Sequence, residues 1–320
     1  MYASCRHKTT FYRKRANQFM SRTATAPAST GERQRPPIKY NGLVQPFLKW
    51  AGGKRQLLPK IRELIPRKYK IYFEPFVGAG AVLFELQPQT ALINDANEEL
   101  VNCYKVIKNQ PANLIATARA HPINAKHFYH LRSQDRDPGL KTLTTVERAA
   151  RIIYLNKTCF NGLFRVNSRG QFNVPFGKYT DPTIVSEVVI KAVSQYLNKA
   201  SVQISNDDFE DALEGAGRGD FVYLDPPYDP LSDTSSFTGY DLTSFGREEQ
   251  RRLKDVCDEL HRKGCKLLLS NSATPFIRRL YSDKSKYTMV EVGANRNINS
   301  VGTGRGKISE LLIFNNYNVA

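Results

Sequence analysis

Along this chain, short apolar runs that stop abruptly at acids alternate with stretches whose apolar residues recur at helical spacing. Leu57, Leu58, Ile61, Leu64 and Ile65 form a first helical stripe. Ile71-Tyr72-Phe73 then meets Glu74 and the turn Val77-Gly78-Ala79-Gly80, with a helix following over 81–86. Ala91-Leu92-Ile93-Asn94 is the next strand, and it ends at Asp95. Between 100 and 200 the alternation is lost. Thr144 and Glu147 there have capping-box spacing and open a helix with Val146, Ala149, Ala150, Ile153 and Leu155 on its apolar side. Further on, Asn167-Ser168-Arg169-Gly170 separates two short runs within 160–179, which predicts a β-hairpin. Strands resume at 201–205, 221–224, 266–270 and 308–314, with a helix over 248–263 ended by Gly264.

The pattern predicts an α/β protein: a parallel sheet of the Rossmann type, interrupted by a mainly helical insertion bearing a hairpin. A length of 320 residues suits one such domain with an inserted module. The expected boundaries are a basic extension over 1–44, a catalytic part over 45–99 and 201–320, and an insertion over 100–200.

Charge narrows the partner. The net charge is +17 and the pI near 9.7, a balance that points to a polyanion, with nucleic acid first. Residues 1–44 carry +8 of it, from nine Lys/Arg against Glu32, and lack hydrophobic periodicity. A disordered arm, an organelle transit peptide and a start at Met20 all fit that segment. The cysteines (Cys5, Cys103, Cys159, Cys257, Cys265) are odd in number without C-x-x-C spacing, against both a disulfide framework and a zinc site. No apolar run nears the roughly 18 residues of a membrane span, so no membrane partner is expected and a cytoplasmic location is.

The candidate chemistry sits where Phe221-Val222-Tyr223-Leu224 runs into Asp225-Pro226-Pro227-Tyr228. Neither proline can donate a ladder hydrogen bond, so the strand ends there and holds Asp225 at its carboxyl end. A carboxylate, a proline carbonyl and a ring can together hold an exocyclic amino group. A strand closed by a stiff turn explains the same residues. Gly78 and Gly80 allow close approach of a nucleotide-like ligand, or simply tight strand–helix packing. Asp95 suits ribose hydroxyls or a helix N-cap. The basic, aromatic 160–179 hairpin suits a DNA groove, or water. A cytosine C5 enzyme would need a Pro-Cys pair, and none occurs.

Seven blocks carry a resemblance: 47–54 (FLKWAGGK), 74–80 (EPFVGAG), 94–97 (NDAN), 154–165 (YLNKTCFNGLFR), 169–179 (RGQFNVPFGKY), 223–228 (YLDPPY) and 299–310 (NSVGTGRGKISE). Together they resemble the Dam-like DNA adenine-N6 methyltransferases of the D12 class, in the family's order, over roughly 45–315. The resemblance implies a nucleoid-associated enzyme that transfers methyl from S-adenosylmethionine to adenine N6 in duplex DNA, commonly within GATC. It fits a solitary enzyme and one paired with a restriction endonuclease equally. By match, Trp50, Lys54, Gly78, Gly80, Asp95, Phe209 and Asp225 contact the cofactor. Asp225, Pro226 and Tyr228 hold the target base. Lys49, Asn161, Leu163, Arg165, Pro175 and Tyr179 read the site, and Phe160 stands where a tyrosine is usual, able to wedge or stack in the duplex. The chain's own alternatives are an RNA adenine methylase, a methylase of a protein amide and an inactive DNA-binding homologue.

The arm adds only charge, so counterion release makes its effect independent of DNA sequence. Deleting residues 1–44 is expected to weaken binding to any duplex at low salt and to flatten the plot of log affinity against log salt. The ranking of target sites should be unchanged, because phosphate contacts carry no sequence information. An unaltered salt slope would mean that the arm does not touch DNA.

Overall fold

The computed structural model describes residues 39–50, 54–136, 138–230, 245–295 and 307–319. The arm through residue 38, the Gly52-Gly53 pair and residues 299–306 of the last quoted block lie outside them. In chain order the elements are α1 (Leu58–Leu64), β1 (Tyr72–Glu74), α2 (Ala81–Leu86), β2 (Thr90–Asn94), α3 (Glu98–Asn109), α4 (Pro111–Arg119), α5 (Ala125–Ser133), α6 (Thr145–Thr158), α7 (Glu187–Lys199), β3 (Ser201–Ser205), α8 (Phe209–Ala212), β4 (Phe221–Leu224), α9 (Arg247–Arg262), β5 (Lys266–Ser272), α10 (Pro275–Leu280), β6 (Thr288–Asn295) and β7 (Lys307–Phe314).

The described strands form one sheet in the order β3-β2-β1-β4-β5-β7-β6. The first five run parallel, and β7 is antiparallel to both β5 and β6. Its chain order reverses between β1 and β4, the position where open α/β sheets bind ligands. All four residues of β4 are buried, as its unbroken apolar run requires of a central parallel strand. The α/β expectation holds. The strand β6 has no counterpart in the sequence reading; its side chains over 288–293 are all exposed or half-buried.

Residues 98–158 and 187–199 are mainly helical, and their apolar faces share one core with the sheet. Thr144 and Glu147 do form the capping box of α6. From Ala149 to Asn156 that helix is buried on every side, polar Arg151 and Asn156 included. Such groups need partners at that depth. Arg151, 2% exposed, pairs with Asp135 at 3.0 Å and donates to the Leu131 carbonyl at 2.7 Å.

The expected hairpin is a looser ribbon. Its turn is present, with Gly170 N–H donating to the Asn167 carbonyl at 2.9 Å. In place of a ladder there are two isolated bridges, Cys159 with Phe176 and Val166 with Phe172. Side chains do the rest. Asp135 accepts from Phe172 N–H at 2.7 Å, Arg136 donates to the Phe172 carbonyl at 2.8 Å, and Arg132 donates to the Val174 carbonyl at 3.2 Å. Asp135 therefore anchors both the ribbon and the buried guanidinium of α6.

Asp135→Ala is expected to leave Arg151 buried without its counter-charge and to cost about 3–5 kcal/mol of stability. Urea denaturation measures this, and a loss under 1 kcal/mol would refute the anchoring role.

Candidate active site

At the carboxyl edge of the sheet, β1, β2 and β4 end in Glu74, Asp95 and Asp225. Lys54, in the 3₁₀ turn Lys54–Gln56, brings its ammonium to 2.8 Å from Asp225 Oδ1. The same nitrogen lies 4.6 Å from the centre of the Tyr228 ring. Tyr228 in turn donates its hydroxyl to Glu310 of β7 at 2.7 Å. Asp225, Lys54, Tyr228 and Glu310 are thus one connected cluster.

Electrostatics set its character. Burial pushes the Asp225 carboxyl above its ordinary range; the Lys54 ammonium pulls it back, and Glu310 adds to the rise. Burial likewise holds Glu74 far above the usual carboxylate range, against the hydrogen bond that Tyr72 donates to it at 2.8 Å. A carboxyl held that high stays protonated, so Glu74 adds no charge to the site, and the charged groups that act on Asp225 are the Lys54 ammonium and Glu310.

The turn after Asp225 is held by a buried polar network. Gln250 of α9 donates to the Pro227 carbonyl at 2.8 Å and accepts from Asn271 at 3.0 Å. Asp229, 2% exposed, accepts from Thr274 at 2.6 Å and pairs with Arg247 at 3.2 Å, and its carbonyl accepts from Ser272 at 2.6 Å. These bonds fix the loop without a ladder, which the prolines forbid.

The glycine turn is built for internal packing. Gly78 and Gly80 have φ of +50° and +73°. A Cβ on Gly80 would stand 2.6 Å from the Tyr104 hydroxyl oxygen, so packing requires this glycine. The Tyr104 hydroxyl donates to the Gly78 carbonyl at 3.0 Å. Trp50 packs on Gly78 with one edge and stacks on Phe164 at 4.4 Å. Of the two roles open to Asp95, the N-cap goes to Asn97, whose side chain accepts from Leu100 N–H at 3.0 Å. Asp95 instead accepts from the Gly78 and Asn97 N–H groups at 2.9 Å each, and so braces the turn. Phe209, 5% exposed, sits in a ring cluster with Phe76 and Phe245, with the Arg252 guanidinium over it at 4.3 Å.

The ribbon residues fall into two groups. Lys49 is bound into the fold through Asn156 of α6, which accepts from its N–H at 2.9 Å and donates to its carbonyl at 2.7 Å. The Lys49 stem covers Gly162, where a Cβ would meet it at 2.3 Å, and its ammonium lies 5.8 Å from the Tyr179 ring centre. Leu163 is half-buried beside them, and Asn161 is exposed with φ +56°. Phe160 is 52% exposed, and its N–H donates to the Pro175 carbonyl at 2.9 Å. Arg165 is exposed and donates to the Asn173 side chain at 2.8 Å. Sequence reasoning assigned no role to Glu74, Tyr104, Asn156, Asp229 or Glu310. Three of these, Glu74, Asn156 and Glu310, lie inside the blocks quoted above, which was the available signal.

Among the described residues no group of three or more His, Cys, Asp or Glu is arranged to hold a metal, and no helix is long and apolar enough to cross a membrane. A family profile, D12 class N6 adenine-specific DNA methyltransferase, matches residues 50–298. The chain is 48% identical over 274 residues to the type II methyltransferase M1.LlaDCHI of Lactococcus lactis subsp. cremoris, covering 85% of this chain and 95% of that one. It is 43% identical to the type II methyltransferase M.MjaIII of Methanocaldococcus jannaschii, covering 85% of this chain and 99% of the relative. To the DNA adenine methylase of Escherichia coli K12 it is 35% identical, covering 83% and 93%. With a strand-end acid beside an ordered proline turn and this extent of similarity, the chain belongs to the D12 class of N6 adenine-specific DNA methyltransferases, enzymes that use S-adenosylmethionine as methyl donor.

Proposed function

We infer that the chain methylates adenine N6 within GATC in duplex DNA, with 100–200 as the target-recognition insertion and the sheet as the catalytic part. The observation that carries the reading is the Lys54–Asp225–Tyr228 cluster at the sheet's switch point. S-adenosylmethionine, when bound, supplies a methyl group on a positively charged sulfur. Two carboxyl groups, Asp225 and Glu310, against the one Lys54 ammonium fit that charge. Trp50, Lys54, Asp95 and Phe209 line the cofactor's side, with Gly78 and Gly80 shaping the turn beneath it.

The amino nitrogen of adenine is a poor nucleophile because its lone pair is delocalised into the ring. Asp225 and the Pro226 carbonyl accept its two hydrogens and turn nitrogen electron density toward the methyl. As the nitrogen–carbon bond forms and the methyl's bond to sulfur breaks, the amino group would become positive; the Asp225 carboxylate beside Lys54 would stabilise that charge until one amino proton is lost to water. Positioning does the remaining work, with no covalent intermediate. The base must leave the helix to reach this site, and Tyr228 offers a face for it. Phe160 is exposed enough to fill the space left in the stack. Lys49, Asn161, Leu163, Arg165, Pro175 and Tyr179 read the flanking bases.

Radiolabelled methyl transfer to duplex DNA, RNA and protein tests the reaction. DNA is expected to be the acceptor, with Asp225→Ala inactive yet still bound to DNA; full turnover by that variant would remove Asp225 from catalysis. Specificity has its own test. Arg165→Ala should lose about 1–3 kcal/mol of discrimination against sites with one base of GATC altered. An unchanged order of site preference would remove the ribbon from base reading.

A further inference from the structure

Tyr228 is the ring on which the proposed function places the target base, and a ring on a loop can turn about two bonds unless something holds its far end. The described residues hold it at that end through Glu310, which accepts the hydroxyl's hydrogen bond at 2.7 Å. Glu310 is set in the sheet: its register partners are Ser272 on β5 and Val292 on β6. The Ser272 hydroxyl donates to the carbonyl of Asp229, the residue after Tyr228, at 2.6 Å. One rung of the β5–β7 ladder therefore grips both the loop backbone just past the ring and the hydroxyl at the ring's tip. Lys54, 4.6 Å from the ring centre, fixes which way the ring faces.

From this the geometry points to Glu310 as a positioning residue that locks the Tyr228 ring, through its hydroxyl, in the orientation that receives the extruded adenine. Resting on the function proposed above, it assigns to β7 a part in base capture that touches neither cofactor nor the reacting nitrogen. The carboxylate acts here as an acceptor and not as a charge. Tyr228 already keeps its proton, because burial and the nearby Asp225 and Glu310 charges raise its pKa far above the ordinary tyrosine value. A neutral acceptor of the same length would do. Preorganisation of this kind lowers the cost of reaching the reactive geometry without adding a contact in the transition state.

The test is a double-mutant cycle on the full chain with Glu310→Ala, Tyr228→Phe, the double variant and Glu310→Gln. Each is followed by steady-state methylation of duplex DNA and by the fluorescence of 2-aminopurine at the target adenine, which brightens when the base leaves the stack. Glu310→Ala and Tyr228→Phe should each lower kcat roughly five- to tenfold, the upper range for a lost hydrogen bond between neutral groups, with KM for the cofactor unchanged. The double variant should be no worse than Tyr228→Phe alone, and Glu310→Gln should remain within about threefold of the parent. The 2-aminopurine signal should fall in step with kcat. Multiplicative losses in the double variant would show that Glu310 acts other than through the hydroxyl, and a Gln variant as poor as Ala would show that its charge is what matters; either overturns the inference. A change in thermal stability with kcat and fluorescence intact would reduce Glu310 to a structural residue and also overturn it. A parent protein that transfers no methyl to duplex DNA would instead sink the proposed function on which the cycle stands.

Discussion

A carboxylate at the end of a central strand is an expensive thing to keep ionised, and in this fold the Lys54 ammonium is what opposes that cost at Asp225. Burial alone would favour the neutral acid, which donates a hydrogen bond where the chemistry needs an acceptor. The ammonium at 2.8 Å opposes that tendency. Because the two residues come from distant segments, the pair also joins the turn at 54 to the loop at 225. Lys54 lies over Tyr228, while its near neighbour Trp50 lies between the glycine turn and Phe164 of the ribbon. The Asp225 loop, the glycine turn and the ribbon are thereby linked through a few residues of one segment.

The second constraint is the helix α6, buried on all sides from Ala149 to Asn156 and carrying polar groups inward. The Asn156 amide bonds both backbone groups of Lys49 and the Gly162 carbonyl. It gives an irregular segment what a neighbouring strand would have given it. Arg151 does similar work through Asp135, whose other contact is the ribbon backbone. The residues proposed above to read DNA sit on loops, yet these loops hang from a helix, and such an anchor is what would let a loop hold a side chain to the accuracy that base contacts demand.

Much of this was legible in the sequence wherever an apolar run meets a breaker. The strands ending at Glu74, Asp95 and Asp225, the capping box at Thr144 and the stop at Gly264 are all local signals, and all are in the structure. Nonlocal partners were not legible. Nothing near Gly80 announces that Tyr104 will occupy the space of its Cβ, nor does anything near Glu310 announce Tyr228. The strand β6 escaped because its side chains over 288–293 face solvent at least in part, leaving little apolar contrast. The ribbon read as a hairpin because its turn is a hairpin turn. Pairing then stays confined to two bridges, as guanidinium and carboxylate side chains take up the Phe172 and Val174 backbone groups.

The distribution of charge follows from the same division of labour. A chain of net charge +17 gathers acids at the edge of its sheet, while the exposed ribbon offers Arg165, Arg169 and Lys178. Duplex DNA approaches as a polyanion and is met by cations. The amino group that reacts becomes positive as it accepts a methyl, and is met by carboxylates. A single uniformly basic cleft would serve the first requirement and oppose the second. The fold separates them by one step along the backbone: Lys49 faces outward to Gly162 and Tyr179, and Trp50 turns inward to Gly78. On the function proposed above, a base extruded from the duplex would cross that boundary, from the cations of the ribbon to the carboxyl cluster around Asp225, so flipping would change the electrostatic environment of the adenine as well as its access to the methyl donor.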